Sequence, residues 1–296
     1  MPTPYSDTTF HTKNIVQFAD ELRAATGGAI DITVHSAGSL LPHGEIKAAV
    51  RSGQVPLGEF FLSNIANEDL AYGLDSQPFI ATSYDEARKL WELQKPVITE
   101  LLAGQNLVPL YSVAWPAQGL YTNGEIKTVA DLNGLRMRAY NPALEEFANL
   151  AGAAPIQVEA ADIPQAFATG QIGAMITSPS TGVSSAAWDF VTHYSPINAW
   201  VPKNIVVMNK DAFDALDEPT RRPCLPQLPR QKPAAGRCRR PRRPARPANS
   251  RPRRIIVYDP SAELTAGLQE IGGKMLESWN ARASEQAKAI LAAFQK

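Results

Sequence analysis

Two arginines spaced two residues apart are the side chains of this sequence best placed to do chemistry. In "DLNGLRMRAYN", residues 131–141, Arg136 and Arg138 stand among apolar neighbours, and the period of a β-strand sets them on one face, opposite Leu135 and Met137. A guanidinium in apolar surroundings needs an anionic partner, because an unpaired buried charge is costly. The spacing alone leaves two roles open, a structural ion pair or exposed face and a clamp for a ligand anion. A second basic feature is "RCRRPRRPARP", residues 237–247, which has no acidic residue and the composition of a phosphate-binding arm. The basic window that contains it, residues 222–254, makes nucleic-acid binding the alternative function.

Other chemistry is sparse. The sequence has no dinucleotide-binding or phosphate-loop glycine pattern, no H-E-x-x-H, no G-x-S-x-G and no C-x-x-C. His11, His35, His43 and His193 lack metal-ligand spacing and read as ordinary surface or loop residues, and Glu145-Glu146 reads as a solvated pair on a helix. No acid, base and nucleophile set emerges, so an enzyme is not expected, nor a metal or cofactor.

Charge and cysteine are distributed unevenly. The formal net charge is zero, yet Arg222 to Arg254 holds 11 Arg and one Lys with no acidic residue, leaving 17 basic against 29 acidic residues elsewhere. Both cysteines, Cys224 and Cys238, fall in that window, so the body of the chain supports no disulfide framework or thiolate metal site. No apolar run approaches the roughly 18 to 20 residues of a membrane span. The opening "MPTPYSDTTFHTKN" lacks the charged and apolar regions of a secretory signal.

The elements that must position the arginines follow from periodicity. Ile15, Phe18, Ala19 and Leu22 mark a helix stopped by Gly27-Gly28, Ile30, Ile32 and Val34 a half-buried strand, and "GEIKAAVRSGQ" a short helix before the apolar "VPLGEFFL". Ser83 caps a helix running through Pro96, and "LVPLYSVAW" is the next strand. Then come strand "LRMRAY", a helix over 142–152, strand "PIQV", helix "DIPQAFATGQ" capped by Asp162, and strand "IGAMITS". Leu264, Leu268, Ile271, Met275, Leu276 and Trp279 predict a final amphipathic helix. Helices between short strands argue for α/β sheets, parallel in the main, and the length argues for two lobes.

Residues 222–254 break this grammar, with eight prolines in 33 residues and little to bury. By composition alone the window is a disordered linker.

Three stretches in order, "DLNGLRMRAYN", "LAGAAPIQVEAADIPQAFATGQIGAMITSPS" and "AWVPKNIVVMNKDAFDALD", resemble the solute-binding proteins of tripartite ATP-independent periplasmic (TRAP) transporters, the dicarboxylate-binding DctP family. The resemblance covers nearly the whole chain outside 222–254. It implies a periplasmic receptor, monomeric, that captures a small carboxylate for TRAP membrane subunits, without cofactor or nucleic acid. It implies an α/β fold of two lobes, with a mixed or parallel sheet in each and the ligand cleft between them. The lobes are expected to divide as 1–121 plus about 206–255 and 122–205 plus about 256–296, and to close on the ligand. The family's carboxylate-clamping arginine matches Arg138, with Arg136 as its solvent-side neighbour. A guanidinium offers two parallel N–H donors to a carboxylate, which lysine cannot reproduce.

Further candidates surround that arginine. Thr177 and Ser178 match a strand end where the sialic-acid branch carries a ligand-touching Asn. Gln118 stands near where that branch has a second Arg, which argues against sialic acid and for a single clamp. Trp115, Tyr140 and Trp200 are aromatics at strand ends or nearby, with core and pocket both open; in the cleft they would favour a flat small acid. Asn141 and Asn204 complete the set. The chain departs from the family in two places. It starts at Met1 where relatives carry an earlier strand and a signal peptide, and so reads as truncated. At 222–254 relatives have an Ala-rich interlobe helix, and GC-rich alanine codons read one base off give Arg, Pro, Gly and stray Cys. The window therefore reads as out-of-frame sequence.

Overall fold

Strand Lys203–Asn209 is buried along its whole length, which places it in the middle of a layered lobe rather than at an edge. The computed structural model describes residues 1–225 and 254–296. The basic window, with the linker and out-of-frame readings that rest on it, lies outside the described residues except at its ends.

In chain order the helices and strands are α1 (Phe10–Ala25), α2 (His43–Arg51), β1 (Leu57–Phe61), α3 (Tyr84–Ala103), β2 (Leu107–Ala114), β3 (Gly119–Thr122), β4 (Arg136–Ala139), α4 (Pro142–Leu150), β5 (Ala154–Gln157), α5 (Ile163–Ala168), β6 (Ala174–Thr177) and α6 (Pro179–Ser184). They continue as β7 (His193–Ser195), β8 (Lys203–Asn209), α7 (Lys210–Asp214), α8 (Glu218–Arg221), β9 (Ile256–Val257), α9 (Ala262–Arg282) and α10 (Glu285–Phe294). The strands form two sheets, ordered β1-β8-β2 and β5-β4-β6-β3-β7-β9. The architecture is α/β with a sheet in each of two lobes.

The first sheet is antiparallel, not parallel as the alternating pattern suggested. The reason is the crossing of the chain: β8 arrives from the second lobe and inserts between β1 and β2, running against both. Along β8, Ile205 and Val207 face a core shared with α2 and α3, while Val206 and Met208 face one shared with α1. This period-two division lets one strand serve two cores. α2 lies so close on β1 that a Cβ at Gly58 would stand 2.6 Å from Ile46 Cγ2, so only glycine allows the contact. The second sheet is mixed: β4 runs parallel to β5 and β6, and β3 antiparallel to β6 and β7. Leu120, Met137 and Ile176 pack under α4 and α9, while Tyr121 and Met175 pack under α5.

Three expectations are corrected. Residues Ile30 to Val34 form no assigned strand; the segment makes a single parallel bridge, Pro2 with His35, and lies over the α1 core as an edge. Asp162 makes no capping hydrogen bond, because a 3-10 turn at Ala160–Asp162 runs straight into α5 and leaves it in helical geometry. The tail from 256 does not belong to the second lobe as a unit. Leu264, Leu268, Ile271 and Met275 of α9 pack in the second lobe, whereas Trp279 and, from α10, Ala287, Ile290 and Leu291 pack in the first. One long helix spans both lobes, and Trp279 locks its far end by donating to Leu70 O at 3.2 Å.

Candidate ligand-binding cleft

Arg138 sits near the carboxyl end of β4, flanked by β5 and β6. In an open α/β sheet the carboxyl ends of neighbouring parallel strands leave a crevice, and the loops that follow them wall it. Here those positions are Arg138 from β4 and Tyr140 just beyond it, Glu159 and Ala160 after β5, and Thr177 and Thr181 from β6 and α6. The first lobe supplies the facing wall: Tyr5, His43 at the start of α2, Phe61 at the end of β1, Asn64 just beyond it, and Trp115 after β2. Gln118 comes from the crossing segment between β2 and β3. The cleft holds about 410 Å³ of empty space, part of it open to solvent.

Arg138 is 4% exposed. Its Nε donates to Val158 O at 2.9 Å and its Cζ lies 4.9 Å from the centroid of the Tyr140 ring, but it forms no salt bridge with any described carboxylate. Burial lowers its pKa, opposed by Tyr140, Glu159 and Tyr5, and arginine starts so far above neutrality that it stays charged. A buried, charged fork has one backbone acceptor and a cleft in front of it. That arrangement can bind an anion.

The cleft also contains an acid. Glu159 Oε2 lies 3.4 Å from His43 Nδ1, a contact reaching from one lobe to the other. His43 Nε2 accepts from the Phe61 N–H at 3.1 Å, which leaves the Nδ1 N–H to donate to Glu159. The hydrogen bond from His43 holds the Glu159 carboxyl below its usual pKa, against burial and with help from Arg138.

The nine candidate residues fall into two groups. Arg138, Trp115, Gln118, Tyr140 and Thr177 line the cleft. The other four stand behind it. Asn204 is fully buried in β8, and its Oδ1 accepts from Trp115 Nε1 at 2.8 Å and Tyr5 OH at 3.3 Å, fixing two wall aromatics. Trp200 belongs to the second-lobe core and donates to Tyr140 OH at 3.2 Å. Ser178 caps α6 through Thr181 N, and Asn141 caps α4 through Leu144 N while donating to Ser63 Oγ. Arg136 is exposed.

Sequence reasoning missed Tyr5, His43, Phe61, Asn64, Glu159, Ala160 and Thr181. Most come from the first lobe or from loops with no periodic signal, and they meet Arg138 only through the crossing of the two lobes. The surface or loop role expected for the histidines fails at two of them. His11 is fully buried, its Nδ1 3.0 Å from Glu59 Oε1 and its ring against Trp115, because helical phase turns it inward with Ile15 and Phe18. His43 is in the cleft wall.

The sequence matches the family model described as bacterial extracellular solute-binding protein, family 7 (DctP), over residues 3–225. The chain belongs to that family.

Family 7 members are binding proteins, not enzymes, in keeping with the missing catalytic set. Among solved structures, the extracytoplasmic solute receptor DctP7 of Bordetella pertussis, which binds pyroglutamic acid, is 36% identical with a TM-score of 0.90, over 100% of this chain and 98% of that one. A marine metagenome TRAP solute-binding protein, specific for pyroglutamate and holding the co-purified molecule, is 35% identical with a TM-score of 0.88, over 100% and 97%. A solute-binding protein of Albidiferax ferrireducens is 24% identical over 72% of this chain, and the match spans 64% of that relative's length. These likenesses give this family 7 chain the two-lobed fold of TRAP solute-binding proteins. The family match ends at residue 225, just inside the 222–254 window on which the nucleic-acid alternative rests, and nothing in the comparisons supports that alternative.

Proposed function

We propose that this chain is the extracytoplasmic receptor of a TRAP transporter and that it captures a small monocarboxylate, pyroglutamate or a close analogue, in the cleft around Arg138. The observation that carries the reading is the buried guanidinium at the end of β4 with no carboxylate of its own. A ligand carboxylate would complete its charge and take two parallel N–H donors. Trp115, Phe61 and Tyr140 give the cleft flat apolar walls, and Gln118, Asn64 and Thr177 give it neutral polar groups, a combination suited to a small ring bearing an amide. The two pyroglutamate-binding relatives, at 35% and 36% identity, support that choice of ligand. We also propose a periplasmic location, a monomer, delivery to TRAP membrane subunits, and closure of the two lobes on binding.

Calorimetric titration with a panel of small carboxylates tests the reading. The expected outcome is saturable binding of pyroglutamate that Arg138→Ala removes. Binding of an uncharged lactam in place of the acids, or titrations unaffected by Arg138→Ala, would refute it.

A further inference from the structure

The cleft that holds Arg138 also holds a carboxylate, and this limits what can enter. Arg138 is the one arginine among the described residues that line it, no lysine lines the wall, and His43 is already engaged, its Nε2 accepting the Phe61 N–H at 3.1 Å. Glu159 spends Oε2 on His43, while Oε1 has no hydrogen-bond partner among the described residues. Asn64 Oδ1 is likewise buried in the wall without a partner. Asn64 thus offers the cleft a buried acceptor without a described donor, and Glu159 a half-exposed carboxylate at its edge. Arg138 and Glu159 form no salt bridge with each other, so a ligand can stand between them.

Building on the carboxylate-receptor reading above, we infer that Glu159, positioned across the lobes by His43, is a specificity-determining residue: it rejects a second carboxylate and selects monocarboxylic acids that bring their own hydrogen-bond donor, such as an amide N–H. A monoanion on Arg138 leaves the carboxylate of Glu159 free to accept from that donor. A dianion would set its second charge against Glu159 with no further arginine or lysine in the lining to compensate, and like charges brought together at the cleft repel, an effect that solvent moderates because the Glu159 side chain is about half exposed. A buried acceptor such as Asn64 Oδ1 left without a donor penalises the ligand that lacks one, so a ring acid without N–H should also bind less well.

The test is a set of calorimetric titrations of the full chain with pyroglutamate, with glutarate as the dicarboxylate of the same carbon count, and with cyclopentanecarboxylate as the ring without donor or carbonyl. The wild-type protein should prefer pyroglutamate to glutarate, and Glu159→Gln should reduce that preference by about tenfold or more, chiefly by gaining glutarate affinity. Glu159→Ala should do the same while losing part of the preference for pyroglutamate over the plain ring. Melting temperatures of both variants establish that they are folded. An unchanged pyroglutamate-to-glutarate ratio in folded Glu159→Gln, or a wild-type preference for glutarate, would overturn the inference. If the wild type ignores pyroglutamate but binds another monocarboxylate over glutarate, and Glu159→Gln erases that preference, the inference stands and the pyroglutamate reading falls.

Discussion

Asn141 Nδ2 donates to Ser63 Oγ at 2.8 Å, joining the residue that caps α4 in the second lobe to the turn that follows β1 in the first. Both side chains are buried, and the bond exists only while the lobes are together. Asn141 therefore does two separable things. Ser63→Ala keeps the cap and removes the bridge, so it should weaken ligand binding several-fold with little change in melting temperature. Asn141→Ala removes both and should also lose about 1 kcal/mol of stability from the cap. Calorimetry and thermal unfolding on the two variants separate the effects; equal affinities for Ser63→Ala and wild type would show that the bridge does not favour the closed form.

Arg138 is the strongest single determinant of affinity expected here. Truncating one partner of a desolvated charge pair costs about 2 to 5 kcal/mol, which is roughly 30-fold to several thousand-fold in Kd. Arg138→Lys restores the charge but not the planar pair of donors, and should recover only part of the loss. Arg138→Ala should fold, because it removes a buried cation that no described acid neutralises. A folded alanine variant with wild-type affinity would place the carboxylate elsewhere.

What the sequence revealed of this site follows from how far each residue's signal reaches. Arg138 was visible because charge inside a strand pattern is anomalous on a local scale, and the chained motifs around it carry the family. Asn141 and Ser178 were visible as polar residues at strand ends, but a polar residue before a proline and a helical run is equally a cap, and that local role is where the structure puts them. His43 and Glu159 were not legible, since the helix of one and the loop of the other carry no sign that they meet 116 residues apart. The fold shows the same limit. Most helices and strands followed from periodicity, whereas the antiparallel insertion of β8 and the sharing of α9 between lobes depend on long-range pairing that periodicity does not encode.

Lys203 and Asp75 form a fully buried ion pair at 2.8 Å at the point where β8 enters the first sheet. The ammonium also donates to Gln94 Oε1 at 3.1 Å, and the Lys203 N–H reaches the same Asp75 oxygen at 3.0 Å. Removing one partner strands the other charge. Lys203→Met should destabilise by about 3 to 5 kcal/mol, while adding Asp75→Asn to it should recover much of the loss. Chemical denaturation of the two single variants and the double variant measures the coupling; losses that simply add would show that the pair acts as two independent residues.

The acid side of the stability profile should carry the signature of Glu159. Its pKa in the folded chain lies below the ordinary glutamate range, with the His43 hydrogen bond as the largest cause and Arg138 contributing. A depressed carboxyl pKa means that the native state favours the ionised form. The stabilisation is present in full above the unfolded value and is lost as pH falls through the folded one. The side chain is 48% exposed, so solvent screening keeps the effect small. Urea midpoints of wild type and Glu159→Gln should therefore differ most near neutral pH and converge as the pH drops below about 4. In a His43→Leu background the donor that depresses the pKa is gone, and the neutral-pH gap should shrink. A gap that stays constant from neutral to acid pH would show that ionised Glu159 gains nothing from His43 in the folded protein.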